Sequence, residues 1–287
     1  MNSVTGILIT LLSAVSYGTL GIFGKLAYME GISTTTLLFF RFSLTGLFLM
    51  GLTFFRRLPF PRGKTLWILI LMGSIGFSGQ AFAYLSALKY ANAGVVAILL
   101  SLYPAFVSIL TIIVLKKKVS NIAIFGVVIS FFGTTLIADP SGGGNPLGFF
   151  LGIAAALIYS TYIIIGSRVM NKVGATESTA VIFSSAAAVY FFLWRMEGAP
   201  MPATPMAWWV IVGMVAIPTI IASVTFLEGL KRVGAVNASI ISTVEPLVTV
   251  FLAYLLFDEH LGIKAMIGGL LILIAVIIFT LNQKGQE

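Results

Sequence analysis

The sequence predicts an all-α integral membrane protein whose ten transmembrane helices form two inverted five-helix repeats. Three observations carry that prediction. Hydrophobic residues make up 59% of the 287 and charged residues 9%, with a mean hydropathy of +1.08, whereas an ordinary soluble domain is roughly 25% charged. So few polar side chains could not cover the surface of a soluble fold. Apolar runs long enough to cross a bilayer recur along the whole chain, and the second half repeats the first at one fixed offset.

In chain order the runs lie near 5–28, 33–55, 65–88, 92–115, 121–138, 147–169, 176–194, 207–229, 235–257 and 263–281. Each can span the roughly 30 Å of hydrocarbon as a helix. Their separators carry turn and loop chemistry: Arg56-Arg57-Leu58-Pro59, Lys116-Lys117-Lys118, the segment from Asp139 to Pro146, the segment from Gly198 to Pro205, and Phe257-Asp258-Glu259-His260.

Sliding the chain by 142 residues without a gap aligns Gly6 with Gly148, Tyr17 with Tyr159, Gly24 with Gly166, Trp67 with Trp209, Met72 with Met214, Lys89 with Lys231, Pro104 with Pro246 and Gly126 with Gly268. Glycine matches arise by chance, but tryptophan, tyrosine and two intrahelical prolines at one register do not readily do so. The reading is a first repeat at 1–138, a Gly-rich linker at 139–147 and a second repeat at 148–287. Five helices is an odd number, so the second copy must enter the membrane from the opposite side, which makes the repeat inverted. The first helix is expected to stay in the mature protein, because its copy is internal and Met1 to Val4 carry no basic residue.

Charge sets the orientation. The side holding both termini and the loops after even-numbered helices carries twelve Lys and Arg: Arg56, Arg57, Arg62, Lys64, Lys116, Lys117, Lys118, Arg168, Lys172, Lys231, Arg232 and Lys284. The other side carries four, Lys25, Lys89, Arg195 and Lys264. Twelve against four places both termini in the cytoplasm of a multi-pass inner (plasma) membrane protein. Because these cations sit at helix ends, the net charge of +8 reads as topogenic and not as a nucleic-acid surface. Cysteine is absent and histidine occurs once, so disulfide frameworks and the usual metal ligand sets are excluded, and no cofactor is expected. Trp67, Trp194, Trp208 and Trp209 fall near helix ends, where interfacial aromatic belts sit.

The residues that could carry function are those that do not belong in lipid. Glu245, followed by Pro246, lies in the middle of the apolar run from Ala235 to Phe257. A carboxylate at that depth costs about 2.5 kcal/mol or more, so it faces a wet cavity, hydrogen-bonds in neutral form to the carbonyl that Pro246 frees, or pairs with Arg41. Glu228, the other acid within a span, is near enough to a helix end to reach water. Arg41 is the one basic residue well inside a span; it reads as a fork for a substrate carboxylate or as a structural anchor. Tyr17, Gln80, Tyr84, Tyr103 and Tyr159 are interior polar side chains that either line a cavity or bond helix to helix. Pro104 and Pro246, repeat mates, and the unmatched Pro218 are expected to break or kink their helices and to mark bending points. Glycines spaced by three, Gly18, Gly21 and Gly24 and again Gly73, Gly76 and Gly79, predict smooth faces for close packing.

The run Ala87-Leu88-Lys89-Tyr90-Ala91-Asn92-Ala93-Gly94 leading to Leu102-Tyr103-Pro104, and Gly229-Leu230-Lys231-Arg232-Val233-Gly234-Ala235 leading to Glu245-Pro246, Phe257-Asp258-Glu259 and Gly268, resembles the paired EamA-type repeats of the drug/metabolite transporter superfamily. The resemblance covers Gly6 to Phe279, and Arg41 matches a basic position common there. It implies a central cavity lined by helices 1–4 and 6–9, with helices 5 and 10 packed outside. It also implies a secondary transporter that exports small metabolites, amino acids above all, by alternating access. Lys116-Lys117-Lys118 departs from the pattern, because an acid often follows helix 4 in that family. The expected substrate-binding set is Tyr17, Arg41, Gln80, Tyr84, Tyr103, Tyr159 and Glu245, with Pro104, Pro218 and Pro246 at helix kinks. The expected partners are a small-molecule substrate and the lipid bilayer, with no nucleic acid; proton coupling through Glu245 and a homodimer are compatible with this reading. An alternative in the same class is an exporter of drugs or organic cations, favoured by a lone mid-span acid among aromatic rings. A membrane enzyme fits less well, since no loop carries a paired-acid, His-rich or phosphate-binding motif, and so does a scaffold, since no soluble domain is left over.

Overall fold

Apolar chain in lipid must satisfy its own backbone polar groups, which leaves the helix as the default. The computed structural model describes residues 3–87, 90–91, 96, 99–100, 102–137, 145–170, 172–257 and 263–284. The first half contains α1 (Ser3–Gly18), α2 (Leu20–Met29), α3 (Thr34–Phe55) and α4 (Gly63–Leu71), then a π-helical stretch Met72–Phe77 running into α5 (Ser78–Ala87), and α6 (Tyr103–Leu115) and α7 (Asn121–Ile137). The second contains α8 (Pro146–Val169), α9 (Ala175–Glu197), α10 (Pro205–Val215), a π-helical stretch Ala216–Ile221, α11 (Ala222–Val233), α12 (Ala235–Ile241), a 3₁₀ turn Ser242–Val244, α13 (Glu245–Phe257) and α14 (Ile263–Lys284). No strand occurs among the described residues. Six helices among them are long and apolar enough to cross a membrane.

Local chemistry fixes the ends. The hydroxyl of Ser33 accepts from the Thr36 amide at 3.2 Å, Asn145 Oδ1 from the Leu147 amide at 2.9 Å and Thr204 Oγ1 from the Ala207 amide at 3.0 Å, each covering an otherwise orphaned N–H. Arg168 Nη2 donates to the Val114 carbonyl at 2.6 Å, closing the C-terminal end of α6. Gly234 takes φ +83°, a conformation a side chain would resist, at the sharp joint between α11 and α12.

Several expected spans are subdivided. The first is interrupted at Thr19, and the ninth is two helices joined by the 3₁₀ turn. Lys89, Asn92 to Gly94, Asp258 to His260 and the linker residues 139–144 lie outside the described residues.

The helix bounds repeat at the sequence offset. Shifting α6 by 142 gives the bounds of α13, and shifting the start of α7 gives the start of α14. The π-helical stretches fall at related places but two residues out of that register. Contacts between the halves are reciprocal: α1 packs on α11 and α8 on α5, α1 on α13 and α8 on α6, while α3 packs on α9 and α7 on α14. Individual atoms follow the same exchange. Gly18 of α1 lies against the Glu245 carbonyl, and its mate Ser160 of α8 donates to the carbonyl of Tyr103, the mate of Glu245, at 3.1 Å. Where α3 meets α9, Phe42 sits among Phe77, Phe183 and Tyr190 with ring centroids 5.3–5.6 Å apart.

The glycine faces are only partly what their spacing predicts. A Cβ on Gly73 would clash with the Ile182 carbonyl oxygen, and one on Gly18 would lie 2.6 Å from Val248 Cβ, so neither position has room for a side chain. Gly24 has no neighbour within 4 Å, and Gly76 and Gly79 would meet only ordinary contacts at 3.7 and 3.9 Å. Spacing selects a face, but which turn of that face touches another helix depends on the crossing point. Of the tryptophans, Trp67, Trp208 and Trp209 are exposed near helix starts, while Trp194 stacks on Phe39 at 4.9 Å.

Candidate functional site

The site is built where helices stop being regular. Proline lacks an N–H and cannot sit quietly inside a helix, but it fits a first turn, whose amides have no intrahelical partner anyway. Pro104 and Pro246 accordingly occupy the first turns of α6 and α13 and begin new helices instead of kinking old ones. Pro218 lies inside the π-helical stretch Ala216–Ile221. The three prolines thus lie at the start of α6, inside a π-helical stretch and at the start of α13.

Those breaks bring polar groups from both halves to one place. Glu245, the first residue of α13, is close enough to Arg41, Tyr17, Tyr84, Tyr103 and Tyr159 for its charge to be felt at each. Gln80 is one turn before Tyr84 on α5 and so shares its face. All seven sequence-selected residues thus fall in one neighbourhood, supplied by α1, α3, α5, α6, α8 and α13.

Arg41 is buried at 5% exposure, and its Nε donates to Thr219 Oγ1 at 2.8 Å. Thr219 in turn donates to the Met214 carbonyl at 2.7 Å, five residues back, a bond that π-helical geometry permits. The other guanidinium N–H groups have no hydrogen-bond partner among the described residues, nor do the Glu245 carboxyl, the Gln80 amide, or the hydroxyls of Tyr84 and Tyr159. Gln80, Tyr84, Tyr159 and Glu245 are also half-buried. Arg41 and Glu245 form no ion pair with each other, so the direct-pair reading of the mid-span acid does not apply.

Aromatic rings pack among these residues. Tyr103 meets Tyr159 edge-on at 5.1 Å, and Tyr159 stacks on Phe226 at 6.3 Å and on Tyr162 at 6.1 Å. Tyr17 meets the same Phe226 at 6.5 Å, so the two repeat mates share one ring between them. Their hydroxyls differ: Tyr17 bonds Ser223 Oγ at 2.7 Å, whereas the corresponding partner position for Tyr159 is Ala81. Tyr103 donates to the Ser239 carbonyl at 3.1 Å. The repeat mates of Arg41, Gln80, Tyr84 and Glu245 are Phe183, Ala222, Phe226 and Tyr103. Each half therefore contributes one ionisable group, Arg41 or Glu245, from positions that are not equivalent.

Sequence reasoning passed over Thr219, Ser223, Phe226 and Tyr162. The weak signal for the first two was hydroxyls four apart beside an unmatched proline; Phe226 and Tyr162 read as ordinary core. Glu228, the second intraspan acid, pairs with Arg232 at 2.6 Å and takes no part in the site.

Comparison with known proteins places this geometry in context. The EamA-like transporter family matches residues 4–138 and again 146–281, two copies spaced as the internal repeat is. Among relatives, the chain is 27% identical to an uncharacterized transporter, YcbK, of Bacillus subtilis, covering 93% of this chain and 90% of that protein. It is 24% identical to an uncharacterized transporter of Clostridium kluyveri, covering 98% and 95%. It is 23% identical to the uncharacterized inner membrane transporter YicL of Salmonella typhimurium, covering 97% and 96%. A solved crystal structure superposes with a TM-score of 0.85 at 20% identity over 99% of both chains, a likeness of fold.

Proposed function

We propose that this chain, which belongs to the EamA-like transporter family and is a multi-pass membrane transporter, moves small zwitterionic metabolites, amino acids first, by alternating access around the Arg41–Glu245 space. One observation carries the substrate class. A guanidinium and a carboxyl lie in the same tyrosine-rich neighbourhood without pairing, and both keep polar atoms with no protein partner among the described residues. A planar guanidinium fork suits a substrate carboxylate, and a carboxyl among aromatic rings suits an ammonium. An amino acid carries both ends.

The inverted arrangement is supported by where equivalent helices start and stop. Arg62, before α4, lines one cleft with Lys231 at the end of α11, while Thr204, before α10, meets Glu30 at the end of α2. Both contacts support a third helix that runs opposite to its mate. Alternating access is supported by the contrast between those two ends. At one, Thr204 Oγ1 donates to Glu30 Oε2 at 2.5 Å and Thr36 Oγ1 to the Pro200 carbonyl at 2.9 Å; at the other lies an open cleft of about 460 Å³. Cytoplasmic termini are supported by the distribution of Lys and Arg, and an inner-membrane location by the name of YicL; export is the direction proposed with them.

Purified protein in liposomes should exchange labelled amino acids. No flux across a broad metabolite panel would overturn the transport assignment to this substrate class, and competition by hydrophobic cations but not by amino acids would replace it with an organic-cation exporter. Glu245→Gln separates coupling from binding: retained counterflow with lost pH-driven uptake assigns proton coupling to Glu245, and an effect on neither removes it from both roles.

A further inference from the structure

The open cleft at the α3–α4 end shares no lining residue with the tyrosine cluster, and three of its lining residues are cations. Arg62, Lys172 and Lys231 reach it from three different segments: the loop after α3, the turn after α8 and the last turn of α11. Thr65, in the first turn of α4, adds a hydroxyl, and Phe60 an exposed aromatic ring. Like charges gathered in one cleft repel unless something neutralises them. No carboxylate forms an ion pair with any of the three among the described residues: Glu228 is taken by Arg232, and the carboxylate of buried Glu177 lies against Gly174, itself part of the cleft lining.

The internal repeat supplies a control. At the other end of α3, the positions equivalent to Arg62 and Lys172 are Thr204 and Glu30, and there the two halves are joined directly by a hydrogen bond. The same pair of segments is thus latched by protein groups at one end and left with cations from both halves facing one space at the other.

We infer that this cleft is a binding site for a phosphate-bearing anion held between the two repeats by Arg62, Lys172 and Lys231. A tetrahedral phosphate accepts from several directions at once, which suits an arginine fork, two lysines and a hydroxyl converging from separate segments. Basic pockets between spanning helices at the membrane surface meet phospholipid headgroups at that level. The shared chemistry is the phosphate, and the source, a headgroup or free phosphate, is for the experiment to separate.

The test uses delipidated full-length protein in a neutral detergent, titrated in parallel with short-chain phosphatidylglycerol and with inorganic phosphate. Native mass spectrometry reads the bound adduct, and the melting temperature reads the accompanying stabilisation. The variants are R62A, K172A and K231A, with K116A/K117A/K118A as a control that removes three charges elsewhere. Phosphatidylglycerol binding in the wild type, weakened about fivefold for each cleft cation removed and left nearly unchanged in the control, supports a headgroup site; the same pattern with inorganic phosphate supports a free-phosphate site. Arg62, Lys172 and Lys231 are exposed, so each variant should melt with the wild type in the absence of ligand. Binding of neither probe by the wild type, or equal losses in the cleft variants and the control, would overturn the inference.

Discussion

Thr219→Val isolates the contact that aims Arg41. Thr219 is fully buried, and its single hydroxyl accepts from Arg41 Nε at 2.8 Å while donating to the Met214 carbonyl at 2.7 Å. Valine keeps the shape and removes both bonds. A hydrogen bond to a charged group is worth about 1.5–3 kcal/mol and a neutral one about 1 kcal/mol, so the variant loses at least the first from the pose that presents the guanidinium fork. If that pose holds the substrate carboxylate, amino-acid affinity should fall about 10- to 150-fold, while the loss at Met214 appears as a lower melting temperature. Thr219→Ser keeps the hydroxyl and should recover most of the affinity. Substrate-dependent thermal shift and counterflow in liposomes measure both. A Thr219→Val protein that binds and melts like the wild type would refute the claim that Thr219 positions Arg41.

Three further outcomes follow from packing. Gly18→Ala should destabilise by about 1–3 kcal/mol, because its Cβ would lie 2.6 Å from Val248 Cβ and 2.9 Å from the Glu245 carbonyl; Gly24→Ala, with open space around it, should be neutral or stabilising by up to about 1 kcal/mol. Thermal unfolding of the pair checks both, and equal effects would contradict the contact geometry. Phe42→Ala, at the centre of the α3–α9 contact, should cost about 3–5 kcal/mol, read as a large fall in melting temperature without a specific loss of substrate discrimination. Arg232→Ala breaks a half-exposed ion pair one helical turn long and should change stability by no more than about 1 kcal/mol, measured in the same assay.

Much of the architecture could be read before any coordinates, because hydropathy and a repeat are properties of the chain itself. The 142-residue offset that aligned Pro104 with Pro246 also carries the bounds of α6 onto α13. Polar residues stranded in apolar runs led to Arg41 and Glu245, since lipid leaves them nowhere else to go. What escaped the sequence was whatever depends on how two helices cross. The break at Thr19, the restart at Pro246 through a 3₁₀ turn, and the π-helical stretches two residues out of register leave no trace in hydropathy. Thr219 looks like any helix-interior threonine until Arg41 arrives from α3. The glycine faces failed for the same reason: Gly73 meets α9 backbone while Gly24, on an equally regular face, meets nothing. Even the shared tyrosines diverge, since Ser223 ties down Tyr17 and Ala81 offers Tyr159 no such bond.

The central claim is that Arg41 and Glu245 hold the two ends of one zwitterion. The most direct measurement is liposome counterflow of an amino acid against two analogues, one with the carboxylate amidated and one with the amine acetylated, for the wild type, Arg41→Gln and Glu245→Gln. The wild type should reject both analogues, Arg41→Gln should no longer discriminate against the amide, and Glu245→Gln should no longer discriminate against the acetylated amine. Identical selectivity in all three proteins would contradict it.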